Sequence, residues 1–283
     1  MAVGCRRSLG PNLHRQVQSS PMLSSWLRAH ADMGKKTYTS RKRTSQYRRG
    51  RFRASMHNFA DWAPAAVVFD CDGLLMDTES CWTIAEAAVF ARRNLGYGAH
   101  EKALLIGKSV PDAGIQLATL FNEPQSAAAL AEELLQLAGD IIAEHAKPFA
   151  GATEIVSALN GVIPMAVASN SPRRLLDIAL SRGGFVDILP LTIAADEVGA
   201  PKPAPDLYLR ACEMLGVHPH TAVAFEDSFT GATSARVAGL KVVGVPSLAH
   251  VELPADIVFP SLSDPQLRTG IQNWRDRAYR QGE

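Results

Sequence analysis

The sequence predicts an α/β fold in which a doubly wound, parallel, Rossmann-like sheet is covered by helices on both faces. Three observations lead to this prediction. Short apolar runs recur along the chain, helix-like segments separate most of them, and the runs are continuous rather than alternating in polarity. Continuous apolar runs are typical of strands that are buried on both faces of a parallel sheet. Because a β-α-β-α order leads to crossover connections, an open, doubly wound sheet follows.

Six apolar runs are the predicted strands, and the last of them has the weakest pattern. They span residues 65–69, 165–168, 191–194, 221–225, 241–245 and 257–259. The predicted helices between them cover residues 172–181, 205–215 and 229–238. Ser171 is suited to cap the first of these helices, and a glycine follows the end of each within two residues. Strands and helices therefore alternate from the second strand onward.

Residues 78–147 interrupt this alternation because they contain no strand pattern. Helices are predicted there over residues 78–94, 111–121 and 125–145. The segment follows the first strand directly and predicts an all-helical cap domain, hinged near Asp77-Thr78 and near Pro148. The other predicted boundaries are 61–77 and 148–262 for the α/β core, and 263–283 for a C-terminal helix and tail.

Residues 1–60 are predicted to be a basic, disordered leader. Residues 1–55 contain 13 of the 29 Lys and Arg residues but one of the 28 acids, so their net charge is +12 and that of the remainder is −11. Such a segment cannot bury enough apolar surface to offset its ordering entropy. Three interpretations stay open: a nucleic-acid-binding arm, an Arg-rich organellar presequence, or an over-extended reading frame with translation starting at Met56 or Met33.

The cysteines and the hydropathy pattern exclude several classes of protein. The four cysteines form no C-x-x-C pair, which argues against structural zinc and against a secreted disulfide scaffold. No apolar run reaches the roughly 18 residues that a membrane span needs. We therefore expect a cytoplasmic protein with no membrane partner, and no nucleic-acid partner for the folded body.

Acidic side chains follow the first and fourth predicted strands. Asp70 and Asp72 follow the first, and Glu226 and Asp227 follow the fourth. In open α/β sheets, ligands bind beyond the carboxyl ends of the strands. A carboxylate there can attack phosphorus as a nucleophile, and a second carboxylate two residues on can serve as general acid and base. The competing interpretation of the first pair is an ordinary Asx-turn before Gly73.

Three further features complete the candidate site. The Glu226-Asp227 pair is a candidate Mg²⁺ site, because converging carboxylates repel one another without a cation, although an N-cap and dipole partner for the next helix would look the same. Ser169 is a candidate phosphate ligand together with the amides that open the next helix, or a simple helix cap. Lys202 lies between two prolines that favour an extended loop. It is either a charge-neutralising group or a surface lysine.

Four motifs occur in a fixed order along the chain: FDCDGLLMDTE, VASNS, APKPAPD and FEDSFTG. Together they resemble those of the haloacid dehalogenase (HAD) superfamily. The helical insert after the first motif resembles the β-phosphoglucomutase-like phosphatase branch of that superfamily. This resemblance implies a HAD-like core, an aspartyl-phosphate intermediate and a helical cap that closes over the substrate.

The resemblance also implies a role for each matching residue. Asp70 corresponds to the nucleophile, Asp72 to the general acid and base, and Lys202 to a charge-neutralising lysine. Ser169 corresponds to the phosphate-binding serine, with Asn170 as a further contact. The implied Mg²⁺ ligands are Asp70, the backbone carbonyl of Asp72, Asp227, and Glu226 either directly or through an intermediate partner.

The implied function is a Mg²⁺-dependent phosphatase that hydrolyses a small phosphorylated metabolite, with a sugar or polyol phosphate as the expected class. In the predicted cap, Gly107-Lys108-Ser109 resembles a substrate-specificity loop, so Lys108 is a candidate substrate contact. A monomer is expected, because such a cap makes the active site self-contained.

Two other functions stay open. Sugar phosphate mutases of this branch carry Ser-x-Ser-Lys-Asn after the second strand, whereas Pro172 and Arg173 occupy the last two of these positions here. The lysine that would hold a second phosphate is therefore missing, unless Arg173 replaces it. The other alternative is a catalytically silent protein that binds nucleic acid through its basic leader.

Overall fold

The computed structural model describes residues 62–106, 108–247 and 252–281, and the predicted leader lies outside them. Within these residues, six strands form one parallel sheet: β1 (Ala66–Phe69), β4 (Met165–Ala168), β5 (Thr192–Ile193), β6 (Ala222–Glu226), β7 (Lys241–Gly244) and β8 (Ile257–Val258). Their order across the sheet is β5-β4-β1-β6-β7-β8. All six predicted strands are present, so the predicted fold class is confirmed.

β1 lies inside the sheet, where the direction of the strand order reverses. It pairs with β4 on one side, with Val67 opposite Met165, and with β6 on the other, with Val67 opposite Val223. The chain runs outward from β1 to β4 and β5, then returns to β6 and continues to β7 and β8. Such a switch point opens a crevice beyond the carboxyl ends of the central strands.

Between β2 (Met76–Asp77) and β3 (Lys147–Pro148), all described residues with regular structure are helical. The helices are α1 (Glu79–Ala91), α2 (Ala99–Leu105), α3 (Val110–Leu120), a 3₁₀ turn (Pro124–Ser126) and α4 (Ala127–His145). β2 and β3 form an antiparallel pair with Asp77 opposite Lys147, next to the two positions predicted as hinges. This pairing was not predicted, because two residues are too few to show a strand pattern.

Helices cover both faces of the sheet. Successive side chains of β1 point to opposite faces, so β1 contributes to a separate apolar cluster on each face. On one face, α7 (Asp206–Leu215) and α8 (Phe229–Ala238) pack with Ala66 and Val68. On the other face, α5 (Ala152–Leu159), α6 (Arg173–Gly183) and α9 (Pro265–Gln281) belong to the cluster that contains Val67 and Phe69. The sheet is therefore buried on both sides, as its continuous apolar runs predict.

Two helices and the N-cap residue of a third differ from the sequence prediction. Helices α2 and α5 were not predicted, because each spans only about two turns. The predicted cap by Ser171 is wrong. Pro172 occupies the N-cap of α6 without a side-chain hydrogen bond, and the amide of Arg173 donates instead to Asp196 Oδ1 at 2.9 Å. The side chain of Asp196, from another segment, thus accepts a hydrogen bond from the first amide of this helix.

The predicted C-terminal helix is present as α9, and its apolar residues are buried. Leu267 and Trp274 are fully buried and Ile271 is nearly so, so this helix packs on the body of the protein. None of the helices in the described part of the chain combines the length and the hydropathy that a membrane-spanning segment requires.

Candidate active site

The first motif forms a tight turn directly after β1. The amide of Asp70 donates to the carbonyl of Phe225 at 3.0 Å, which extends the pairing of β1 with β6 by one residue. The carbonyl of Cys71 then accepts hydrogen bonds from the amides of Leu75 and Met76, both at 2.9 Å. Asp70 is thereby held at the strand end, and it is 6% exposed.

Gly73 brings this turn against the end of β6. Its φ angle is +86°, in the region that side chains rarely adopt, and a Cβ atom here would lie 2.3 Å from Asp227 Oδ2. Both the backbone conformation and the close approach therefore require glycine. The glycine of the first motif thus allows the acids of the first and fourth motifs to meet.

Asp72 is held by two hydroxyl groups that belong to different parts of the chain. Thr78 Oγ1, just before α1, donates to Asp72 Oδ1 at 2.7 Å. Ser169 Oγ, at the end of β4, donates to Asp72 Oδ2 at 2.8 Å. The carboxylate is thus oriented both by the α/β core and by the start of the helical segment.

Ser169 is fully buried, and its hydroxyl group also accepts a hydrogen bond from the amide of Ser171 at 2.9 Å. Neighbouring Asn170 is exposed, and its side chain is bonded to the backbone of Lys202. The amide of Lys202 donates to Asn170 Oδ1 at 2.8 Å, and Asn170 Nδ2 donates to the carbonyl of Lys202 at 3.2 Å. The second and third motifs are therefore joined through Asn170.

Lys202 is buried and lies between two carboxylates, so it is not a surface lysine. Its Nζ atom donates to Asp70 Oδ1 at 2.5 Å and to Glu226 Oε1 at 2.6 Å, and it lies 5.0 Å from the centre of the Tyr208 ring. Burial alone would lower the pKa of Lys202, but the charges of Asp70 and Glu226 raise it above its ordinary value. The ammonium group is therefore retained at neutral pH.

Glu226 is fully buried, and both of its carboxylate oxygens accept hydrogen bonds. Oε1 accepts from Lys202 Nζ and from the hydroxyl of Tyr208, both at 2.6 Å. Oε2 accepts from the amide of Asp227 at 3.1 Å and from the hydroxyl of Ser228 at 3.2 Å. These contacts favour the indirect role among the two predicted for Glu226, because little capacity is left for a metal ion.

Asp70, Glu226 and Asp227 form a buried cluster in which one oxygen of each carboxylate lies within 4.8 Å of the others. Burial raises the pKa of Asp70 well above its ordinary value, against the lowering effect of Lys202. Burial, followed by the charge of Glu226, raises the pKa of Asp227 to about 7. A divalent cation among these oxygens would offset the repulsion, and carboxylate oxygens are the ligands that Mg²⁺ prefers. Asp70 and Asp227, whose carboxylates are less fully engaged than that of Glu226, therefore fit Mg²⁺.

Lys108 lies in the loop between α2 and α3. It is exposed, and its amide donates to the carbonyl of Leu105 at 3.2 Å. Ser109 caps α3, since its Oγ accepts from the amide of Asp112 at 3.3 Å. Gly107 lies outside the described residues, and the predicted contact of Lys108 with substrate stays a prediction.

Sequence reasoning missed several residues that contact the predicted ones, and Ser247, which hydrogen-bonds Asp227, is one of them. Thr78 binds Asp72, Tyr208 binds Glu226, and Ser228 binds Glu226. Thr78 and Ser228 lie inside two of the quoted motifs, so their positions were a usable signal. Tyr208 lies among the apolar residues of α7, and nothing in the local pattern distinguishes it.

Comparison with known proteins identifies the family. A family model described as haloacid dehalogenase-like hydrolase matches residues 64–239. Fructose-1-phosphate phosphatase YqaB from Escherichia coli (strain K12) is 30% identical over 184 residues, which cover 64% of this chain and 96% of that protein. A bifunctional riboflavin kinase/FMN phosphatase from Arabidopsis thaliana is 28% identical over 229 residues, which cover 78% of this chain. This chain spans only 60% of the length of that bifunctional protein.

A solved structure shows the same fold. The crystal structure of CbbY from Rhodobacter sphaeroides in complex with phosphate has a TM-score of 0.64 to this chain at 24% identity, covering 74% of this chain and 99% of that one. The family predicted from the four motifs is confirmed by the family model, which spans more than half of the sequence. The chain belongs to the haloacid dehalogenase-like hydrolase family.

Proposed function

We propose that the protein is a Mg²⁺-dependent phosphatase that hydrolyses a small phosphorylated metabolite through a phospho-aspartate on Asp70. The observation that carries this proposal is the convergence of a buried carboxylate, a buried ammonium group and further carboxylates at the switch point of the sheet. Phosphoryl transfer depends mostly on positioning and on the stabilisation of charge. These groups supply a nucleophile, a fixed cation and a cation site within one crevice.

In the first step, a carboxylate oxygen of Asp70 attacks phosphorus, and the bond between phosphorus and the ester oxygen breaks. Asp72 gives its proton to the departing oxygen, which leaves as an alcohol. In the second step, Asp72 takes a proton from a water molecule whose oxygen attacks the phosphorus of phospho-aspartate. The phosphorus–oxygen bond to Asp70 then breaks, which releases inorganic phosphate and restores both carboxyl groups.

The other polar groups orient the reactants and balance charge. Lys202 offsets the charge of Asp70 before and during attack, from 2.5 Å away. The hydroxyl group of Ser169, which donates to Asp72 in the structure, has one hydrogen and would redirect it to a phosphate oxygen when substrate binds. Asp70, the carbonyl of Asp72 and Asp227 would hold Mg²⁺, whose contribution when bound is to neutralise charge on the phosphoryl oxygens.

We propose a sugar or polyol phosphate as the substrate class. The support is the 30% identity to a protein named for fructose 1-phosphate, together with Lys108 as an exposed cation in the helical segment. The predicted monomeric state and the predicted cytoplasmic location remain predictions beside this proposal.

The contacts of Arg173 favour a phosphatase over a mutase. A mutase must hold a second phosphate, and Arg173 was the candidate to replace the missing lysine. Its guanidinium group instead binds Glu197, with Nε to Oε1 at 3.0 Å, and also Asp177 at 2.9 Å and the carbonyl of Thr192 at 2.8 Å. A guanidinium group engaged with these partners is not free to bind phosphate.

Phosphate release from a panel of small phosphorylated metabolites tests the proposed function. We expect release by the wild type with Mg²⁺, none with EDTA, and a loss of at least about 10³-fold in Asp70→Asn, which keeps the shape of the side chain but removes the nucleophile. Quenching during turnover and mass spectrometry would detect a phosphorylated Asp70 peptide. Asp187→Asn, the same change at an exposed position, is the matched control and should retain full activity.

Two results would contradict the proposal. Activity that persists in Asp70→Asn would exclude the phospho-aspartate, and interconversion of sugar phosphate isomers without phosphate release would indicate the mutase instead. Release from no compound by a folded protein that binds Mg²⁺ would leave the catalytically silent alternative, in which DNA binding should disappear when residues 1–55 are deleted.

A further inference from the structure

The side chain of Asn170 makes two hydrogen bonds to one residue on a distant loop. Its Oδ1 atom accepts from the amide of Lys202 at 2.8 Å, and its Nδ2 atom donates to the carbonyl of Lys202 at 3.2 Å. The carboxamide thus binds both the N–H group and the carbonyl group of Lys202. Its only acceptor and one of its two N–H groups are used in this way.

The same loop is held a second time, two residues further on. The hydroxyl of Ser234, which is fully buried on α8, donates to the carbonyl of Ala204 at 2.5 Å. The amide of Ala204 donates to the carbonyl of Pro201 at 3.0 Å, which closes the turn around Lys202. Asn170 and Ser234 therefore anchor this turn from the end of β4 and from α8.

The position of this turn matters because the Lys202 ammonium has little freedom. It lies 2.5 Å from Asp70 and 2.6 Å from Glu226, and its side chain is 3% exposed. A shift of the Lys202 backbone would lengthen the contact with the nucleophile. Misplacement of a catalytic group by about 1 Å can lower a rate on the order of 10²-fold.

We propose that Asn170 is a positioning residue for Lys202 rather than a phosphate ligand. This proposal rests on the proposed phosphatase function, in which Lys202 offsets the charge of Asp70. Asn170 acts through the backbone of Lys202 and sets the distance between the ammonium group and the nucleophile. Its second N–H group is the only part left for a phosphate contact, which is the competing interpretation.

Kinetics of three variants separate the two roles. Asn170→Ala should lower kcat by about 10- to 100-fold and leave KM and the inhibition constant of inorganic phosphate within about threefold. Asn170→Asp keeps the shorter hydrogen bond from the Lys202 amide but replaces the Nδ2 donor with an oxygen that faces the Lys202 carbonyl, so its kcat should lie between those of Asn170→Ala and the wild type. Ser234→Ala removes the other anchor of the turn, cannot touch substrate, and should lower kcat in the same way. A phosphate ligand predicts the opposite pattern, with a raised KM and an Asp variant worse than the Ala variant.

Hydrogen exchange provides a readout that does not depend on activity. In Asn170→Ala, the Lys202 amide should exchange faster than in the wild type, while amides in the core strand β6 should exchange unchanged. An unchanged rate at Lys202, or a raised KM with unchanged kcat, would overturn the positioning role. If the wild type releases phosphate from no compound, the proposed function fails, and the exchange rate still decides whether Asn170 holds Lys202.

Discussion

At the scale of single residues, Asp227 shows what burial does to a carboxyl group among other acids. Its pKa is raised from 3.8 to about 7, first by burial and then by the charge of Glu226, while Ser247 and Lys202 lower it. A raised pKa means that the folded protein binds a proton that the unfolded chain has already lost. Without metal, this group therefore favours the folded state at low pH, and its contribution is lost as the pH rises toward 7.

This linkage predicts how metal and pH act on stability. The melting temperature of the EDTA-treated protein should fall between about pH 5 and about pH 8, because Asp227 and Asp70 must ionise in the folded state above the ordinary pKa of a carboxyl group. Mg²⁺ should raise the melting temperature more at about pH 8 than at about pH 5, because protons compete for the same oxygens. Thermal unfolding followed by circular dichroism measures both effects.

Asp227→Asn is the control for that measurement. It removes the raised pKa of Asp227 and should reduce the dependence of the melting temperature on pH in the metal-free protein, while the raised pKa of Asp70 accounts for the remainder. An equal rise in melting temperature with Mg²⁺ at both pH values would show that the ion binds elsewhere.

At the scale of elements, the start of helix α8 decides the geometry of Glu226. Ser228 caps this helix, since its Oγ accepts from the amide of Gly231 at 3.0 Å. A Cβ atom on Gly231 would lie 1.9 Å from Glu226 Oε1 and 2.2 Å from Oε2. The first turn of α8 therefore packs on the carboxylate so closely that a side chain cannot fit between them.

Gly231→Ala should destabilise the protein although alanine is the better helix former. Glu226 cannot move aside cheaply, because Lys202 and Tyr208 bind it, so overpacking should lower the free energy of unfolding by about 1–3 kcal/mol. The activity should fall as well, because Lys202 is hydrogen-bonded to Glu226 and would be displaced when Glu226 moves. Urea unfolding and phosphate release measure the two effects.

Gly139 provides the matched control within another helix. A Cβ atom there would lie 3.4 Å from Leu175 and Ile178, which is ordinary contact, so Gly139→Ala should be neutral or stabilise by up to about 1 kcal/mol. If the two substitutions had the same effect on stability, the close approach of α8 to Glu226 would not explain the Gly231 result.

At the scale of the whole molecule, the helical segment joins the core at two kinds of contact. At the first, the antiparallel pair of β2 and β3 connects the two ends of the helical segment to the core. At the second, α4 packs on α6, where Arg182 donates to the carbonyl of Glu144 at 3.1 Å. Because Thr78 binds Asp72 at the start of this segment, the orientation of the proposed acid and base depends on where the segment lies. Within the core, α9 covers one face of the sheet together with α5 and α6.

Helix α9 should contribute strongly to the stability of the whole molecule. Trp274 is fully buried and its ring meets Phe225 of β6 edge-on, with centroids 6.4 Å apart. Trp274→Ala should therefore lower the free energy of unfolding by about 3–5 kcal/mol in urea titrations. Tyr279→Ala, on the same helix but 59% exposed, should change it by less than about 0.5 kcal/mol. A small effect of Trp274→Ala would mean that α9 only rests on the surface.

The sequence by itself determined the features that are encoded locally. Apolar runs located all six strands of the sheet, because burial on both faces leaves a continuous pattern. The carboxyl ends of those runs indicated Asp70, Asp72, Ser169, Glu226 and Asp227, because parallel strands end at one edge of a sheet. Longer helices such as α3, α4 and α8 were found within about two residues, since several turns give a clear pattern.

The tertiary structure alone decided which of these residues touch and which partners they share. Asn170 and Lys202 are 32 positions apart, and their contact depends on the pairing of β4 with β5, beyond whose ends they lie, which no local pattern specifies. No local pattern predicts the hydrogen bond from Tyr208 to Glu226 either. Nor does one predict the ion pair of Arg173 with Glu197, which keeps the guanidinium group from binding a phosphate. Residue types and spacings predict which groups are present, whereas distances between distant segments arise only when the sheet is assembled.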